Sequence, residues 1–463
     1  MDSAHSTARD SYRLIVTRSN ASEILLRPHG SAWCLPSVEI PQGQRVAEQL
    51  TAELYAQWGS RAYCLLVPNL TAGLPHCSVM EATDLEQISP AGTCWKALDV
   101  ATCAAVDPAE DRTVVEKSIK EWAEYRREPR QAPFTKPGWL SELLAWAQEQ
   151  LARLGVRLTG SFAQLNASPR FSLIRLETDD ASAVWFKATG EPNRHELRVA
   201  SCVARLFPGY VPEVLAIHSA WNAWLMREVP GRKLEEVREL ARWRQTAEDL
   251  ARLQIGSIGR KTELFEGGCR DLRLPKLIAE IDLWIDRMRP LMAAQEKKTP
   301  ARLTDHELTF LRDSLEQTCW RLSEIGLPDT LGHLDLNPGN ILVSPGRSVF
   351  LDWAEGCVTN PLVTFEYLRE HLRRNRINDA QAIESIVSAY VRPWQSIFSA
   401  DTLKRATMIS PLVAVFAYAV STNTFHRSDA LLKPSVAGYF RSLTRRMYRE
   451  AVQIAARREQ CLA

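Results

Sequence analysis

Leu331-Gly-His-Leu-Asp-Leu-Asn-Pro-Gly-Asn-Ile-Leu-Val343, continued by Ser344-Pro-Gly-Arg347 and Ser348-Val-Phe-Leu-Asp-Trp353, is the stretch on which the reading of this chain turns. Two short apolar runs, Ile341 to Val343 and Val349 to Leu351, flank the turn residues Ser344 to Arg347 and predict a β-hairpin. In that hairpin Val343 faces Ser348, and the pairing runs back until Asn340 lies beside Leu351 and Asp352. Two side chains of the kind that bind metal thereby meet at one end of a rigid hairpin. Asp335, on the entering loop, sits where a substrate hydroxyl could reach it.

Phosphoryl transfer needs this set. A carboxylate takes the hydroxyl proton, and hard oxygen ligands hold Mg²⁺, which bridges the phosphates and neutralises developing charge. Asp335 supplies the first, Asn340 and Asp352 the second. Taken singly, Asp335 and Asn340 read as loop-capping residues and Asp352 as a strand-end turn former. The joint pattern His-x-Asp-x-x-x-x-Asn, followed by an apolar hairpin and Asp, favours the chemical reading.

Together these residues resemble the aminoglycoside phosphotransferase and choline-kinase-like group of small-molecule kinases, over about Thr135 to Arg446. The resemblance implies that Asp335 is the catalytic base, that Asn340 and Asp352 bind metal, and that His333 braces the catalytic loop. ATP and Mg²⁺ are the cofactors it implies, and a small molecule bearing a hydroxyl is the acceptor. Two departures stand out: Glu355 lies one residue later than the acid in the family's D-x-E, and Asn360-Pro361 replaces its D-P, with Thr364 near the position of a further acid.

Outward from this stretch the chain is mostly helical beyond Arg232, with apolar residues at helical spacing (Leu240, Trp243, Ala247, Leu250; Leu277, Ile281, Trp284, Met288). Upstream lie two strands, Phe171 to Glu177 and Ala183 to Ala188, then a helix from about Pro192 to Phe207. Alternation places Lys187 on the Trp185 face, opposite Val184 and Phe186. A lysine in so apolar a strand wants a negative partner, and Glu196 borders the buried stripe of the next helix. The resemblance implies that Lys187, paired with Glu196, touches the nucleotide phosphates, and that backbone groups of about Arg227, Glu228 and Val229 hold adenine between the lobes. The plainer alternative makes Lys187 an edge-strand guard and Glu196 a solvated helix residue. The phosphate-covering loop falls on Gly160 to Pro169, which beyond Gly160 lacks the glycines that let backbone amides crowd a phosphate.

Before the linker-like run REPRQAPFTKPG, strands at Tyr12 to Thr17, Glu23 to Arg27 and Ala62 to Val67 and a helix at about Arg45 to Trp58 predict a small α+β sandwich. It more faintly resembles the Nudix fold, through Trp33-Cys-Leu-Pro36 and Ala52-Glu-Leu-Tyr-Ala-Gln-Trp-Gly59. Ala56 and Gln57 stand at the two key glutamate positions, so diphosphate hydrolysis is not expected, and ligand sensing, interdomain packing or homodimerisation through this domain stay open. The expected fold class is therefore α+β, a bilobal protein-kinase-like fold with a small β-rich lobe and a large helical lobe, preceded by a smaller Nudix-like sandwich. The expected boundaries are 1–126 for the sandwich, 127–138 for a linker and 139–463 for the kinase-like body, with lobes at about 156–229 and 230–463.

At 463 residues, with 45% hydrophobic and 24% charged residues, the composition is that of an ordinary globular protein. Lys plus Arg at 57 against Asp plus Glu at 55 removes the electrostatic case for a nucleic-acid binder. The ten cysteines are scattered without zinc spacing, and the polar first ten residues lack a signal-peptide core, so a cytoplasmic location is expected. The most apolar run, Met408 to Val420, contains Pro411 and predicts a core helix, with no membrane association expected. From Asp401 onward ten basic residues face four acidic ones, which disfavours a polycationic acceptor such as an aminoglycoside. The other class left open is a nucleotide-binding regulator that binds without catalysis.

Overall fold

Alternation along the strand Arg9–Thr17 builds the first layers. Tyr12, Leu14 and Val16 share a core with Ala47, Leu50 and Leu54 of the helix Val46–Trp58, whereas Ile15 shares one with Val114, Val115 and Trp122 of the helix Ala109–Arg127. One sheet is thus covered on both faces. It has seven strands, with Arg9–Thr17 parallel to His76–Ala82 and antiparallel to Ser37–Pro41. The expected strands and the first helix are present. The strands Ala32–Cys34, Ser37–Pro41, His76–Ala82 and Cys94–Ala97 and the helix Ala109–Arg127 add to them.

The protein is described by a computed structural model at residues 8–19, 21–70, 73–83, 91–127, 132–180, 182–375, 377–422 and 424–462. The first seven residues of the polar N-terminus and residues 128–131 of the expected linker lie outside them. Contacts divide the chain into two compact units, Met1–Leu197 with Glu213–Glu228, and Arg198–Pro212 with Val229–Ala463.

The first unit holds a second sheet, antiparallel, in the order Val214–His218, Ala223–Arg227, Ala183–Ala188, Ser172–Thr178, Leu158–Ala167. The segment expected to be a linker packs between the two sheets. Phe134, Thr135 and Trp139 are buried, and the Trp139 ring stands 4.9 to 5.6 Å from those of Phe134, Tyr63, Phe186 and Trp221. The carboxylate of Glu81 accepts the Gly138 amide at 2.9 and 3.0 Å. Gln164 bridges the sheets directly, accepting from the Cys64 N–H and donating to the Cys64 carbonyl, both at 2.8 Å. The prolines and charges of this segment suggested a break; its aromatic residues make it core.

The second unit is helical around two small three-stranded sheets, Arg232–Lys233 with Ile341–Ser344 and Arg347–Phe350, and Arg270–Leu272 with Gly356–Thr359 and Thr330–His333. The helix Ala400–Ser421 runs 22 residues, longer than the apolar run suggested, and an 18-residue stretch of it has mean hydropathy 1.3, long and apolar enough to cross a membrane. Leu412, Val413, Phe416 and Ala417 on it are fully buried, as in a core helix. The nine cysteines from Cys34 to Cys357 are free.

Candidate active site

The expected hairpin forms in the expected register, with Val343 opposite Ser348 and Ile341 opposite Phe350. Pairing extends one step further through Leu351 N–H, which donates to Asn340 O at 2.8 Å. The strand Thr330–His333 delivers the loop from below. Gly332 allows its close approach: a Cβ there would come within 2.6 Å of Thr359 and 2.9 Å of Cys357.

His333 explains the shape of the loop. Its Nδ1 accepts the Asp335 N–H at 3.1 Å, which leaves Nε2 protonated to donate to Leu351 O at 2.9 Å. The ring is 1% exposed and lies 4.8 Å from that of Trp353. With both nitrogens engaged, His333 ties the Asp335 loop to the strand before Asp352.

Around Asp335 the half-buried carboxylate collects donors. Oδ1 accepts from Asn337 Nδ2 at 3.1 Å and from the Tyr367 hydroxyl at 3.2 Å; Oδ2 accepts from Asn340 Nδ2 at 3.2 Å. Asn340 Nδ2 also donates to Asp335 O at 2.9 Å, which turns its Oδ1 away from Asp335. Burial first, then the Asp335 charge, push the Tyr367 hydroxyl well above its ordinary range, so it stays a donor. Asp352 is exposed and holds left-handed backbone angles, φ 60° and ψ 66°, a cost to a non-glycine residue that recurs at functional sites.

Asn340 Oδ1 and the Asp352 carboxylate are two hard oxygens on one rigid hairpin. That donor set suits Mg²⁺, which is commonly held by one or two protein oxygens with phosphates and water completing its shell. Among the described residues no group of three or more His, Cys, Asp and Glu side chains is gathered as a metal cage. Glu355 sits in an ion pair at 2.8 Å with Arg270.

Lys187 and Glu196, both in the first unit, form the expected ion pair, with side chains 18% and 3% exposed. The Lys187 ammonium also lies 5.8 Å from the Trp224 ring centroid. Arg227 and Glu228 are more heavily engaged than expected: their amides donate at 3.0 Å to Glu213 O and Ala183 O. The Glu228 carboxylate takes two bonds from Arg175, at 2.6 and 2.9 Å, and one from Trp185, and the guanidinium holds it below the usual carboxylate range. Val229 opens the second unit. Gly160 to Ala167 lies within the strand Leu158–Ala167, so most of the expected phosphate loop is ladder, and the turn follows at Ser168.

Asn337 and Tyr367 were not foreseen. Asn337 stands inside the opening stretch between Asp335 and Asn340, a signal that was available. Tyr367 lies in Phe365-Glu-Tyr-Leu-Arg369, where nothing separates it from core periodicity.

Residues 183–382 match the profile of the phosphotransferase enzyme family. Among solved structures, a choline kinase from Cryptosporidium parvum is similar at 10% identity and TM-score 0.49, covering 69% of this chain and 97% of that one. A choline/ethanolamine kinase family protein from Mesorhizobium loti is similar at 15% identity and TM-score 0.43, covering 67% and 98%. The choline kinase of Streptococcus pneumoniae gives 15% and 0.43, covering 68% and 99%. No curated protein shows significant sequence similarity to this chain.

Proposed function

We propose, from the match of residues 183–382 to the phosphotransferase enzyme family, that the protein is a small-molecule kinase using ATP and Mg²⁺, with Asp335 as its base. The observation that carries this reading is the Asp335 carboxylate, fixed by Asn337, Tyr367 and Asn340 beside a hairpin that presents Asn340 Oδ1 and Asp352.

In the reaction an acceptor hydroxyl oxygen bonds to the γ-phosphorus, the bond from that phosphorus to the bridging oxygen breaks, and ADP departs with the electron pair. The hydroxyl proton passes to Asp335. Oδ2 is the receiving atom, since it carries one side-chain donor where Oδ1 carries two. A Mg²⁺ held by Asn340 and Asp352 would supply charge neutralisation at the phosphates. Lys187, oriented by Glu196, takes the phosphate-binding role.

Purified protein incubated with ATP, Mg²⁺ and a panel of hydroxyl acceptors should yield phosphorylated product by mass spectrometry. Asp335→Asn should cut turnover by about 10² to 10⁴; unchanged turnover removes Asp335 from the role of base. A second reading, a nucleotide-binding regulator, is favoured by the strand pairing that takes up most of the expected phosphate-covering loop, Gly160 to Ala167. Mg²⁺-independent ATP binding with no product across the panel would support it.

A further inference from the structure

Tyr367 does two things at once: its hydroxyl donates to Asp335 Oδ1, and its ring lines a cavity of about 710 Å³ among the helices Pro361–Arg374, Ala400–Ser421 and Pro434–Leu462. The cavity adjoining the base is therefore the place for an acceptor. A larger cavity of about 1110 Å³, which shares Arg369, Ile383 and Arg457 with this one, does not include Tyr367, the lining residue that bonds the base.

One wall is aromatic. Tyr367 stands 5.1 Å from the ring of His371 and 5.5 Å from that of Tyr418, whose hydroxyl accepts from Tyr439 at 2.9 Å. Burial, and next the charge of Arg374, hold His371 below its ordinary range, so this wall adds no cation of its own near neutral pH.

The charge comes from arginines. Five line the cavity against three glutamates, and two of those glutamates are committed: Glu366 to Arg369 at 2.7 Å and Glu370 to Arg446 at 3.0 Å. Arg374 and Arg449 have no ion-pair partner among the described residues. Guanidinium groups without carboxylate partners, at the rim of a cavity beside a catalytic base, match planar or tetrahedral oxyanions through paired N–H donors.

We propose that this cavity is the acceptor site and that it selects a hydroxyl compound bearing an anionic group, a carboxylate or a phosphate, held by Arg374 and Arg449. This rests on the kinase reading above and names its substrate class. The transfer then runs from ATP and a hydroxy acid or sugar phosphate to its O-phosphorylated product, ADP and one proton, which Asp335 takes up. An aromatic wall alone would also suit a quaternary ammonium, but such an acceptor would meet uncompensated like charge from both arginines.

Two arms of one experiment separate the site from the chemistry. In the first, full-length protein without nucleotide is titrated calorimetrically with glycerate, glycerol 3-phosphate and glucose 6-phosphate, and with choline, kanamycin and glucose as comparators. At least one anion should bind at least tenfold more tightly than glucose, more weakly as salt rises, and at least tenfold more weakly to Arg374→Glu/Arg449→Glu. Arg374→Gln/Arg449→Gln, which adds no new charge, should show a smaller loss in the same direction. Glycerate against glycerol 3-phosphate tells carboxylate from phosphate. Anions that bind no better than glucose, choline or kanamycin that binds best, or binding indifferent to both double variants overturns the site. In the second arm ATP and Mg²⁺ are added and products are weighed. Transfer to cationic acceptors alone leaves the kinase reading standing and sinks this one; arginine-dependent anion binding without transfer does the reverse.

Discussion

The helix Val46–Trp58 and the hairpin around Asn340 and Asp352 each carry a sequence motif reminiscent of phosphate chemistry, and they have met opposite fates. The helix keeps its inward face, Ala47, Leu50 and Leu54, all at most 3% exposed. On the motif positions it presents Ala52, Ala56 and Gln57, and its Glu53 lies in a partly exposed ion pair with Arg9 at 2.9 Å. In the hairpin both layers persist: Ile341, Val343 and Phe350 are buried, and the polar residues converge through His333, Asn337 and Tyr367. Apolar faces hold an element in place whether or not it does chemistry. A site survives only where its polar atoms are also held by others, and the hairpin alone meets that test.

The contrast can be broken or sharpened experimentally, and the Asp335→Asn loss of about 10² to 10⁴ in turnover is its largest expected effect. Next comes His333→Ala, which removes the brace between the Asp335 amide and Leu351 without touching substrate. It should cost about 10- to 100-fold in activity, with the shape of the pH–rate profile unchanged; a lost ionisation in that profile would make His333 an acid or base instead.

Glu81 gives an effect on stability. Burial pushes its carboxyl up to about 7, only partly offset by the Gly138 amide. Below about pH 4.5 the group is neutral in both folded and unfolded chains, and its contribution is fully present. As pH rises through about 7 the unfolded chain has already released the proton, and about 3 kcal/mol of stability is lost. Glu81→Gln should flatten that part of the denaturation midpoint's dependence on pH, as followed by chemical unfolding; an unaltered slope would place the titration elsewhere. The smallest effect belongs to the helix. Glu53→Ala breaks a surface pair worth under about 1 kcal/mol and should leave turnover unchanged.

The hairpin was legible in the sequence because its determinants are contiguous. Turn residues, alternation and the spacing of Asp335, Asn340 and Asp352 all lie within 23 residues of one another in the opening stretch. The Lys187–Glu196 pair was legible because a lysine in an apolar strand demands a partner close by. What escaped depends on distance along the chain. Arg270, which claims Glu355, lies far upstream; Tyr367 reaches Asp335 from a helix whose pattern encodes only packing. Arg227 and Glu228 were read as backbone that holds adenine, but neighbours that no local pattern names, Glu213 and Ala183, occupy their amides.

Gln164 carries one last consequence. Its amide group occupies the Cys64 N–H and C=O together and is wholly buried. A shortened protein beginning near residue 139, where the motifs suggest a natural start, would expose the faces of Trp139 and Phe186 to water and leave that side chain only the Asn166 carbonyl of its three protein contacts. The first 130 or so residues thus behave less like an appendage than like one half of a clasp, closed by Gln164 on Cys64 and by Trp139 on Tyr63.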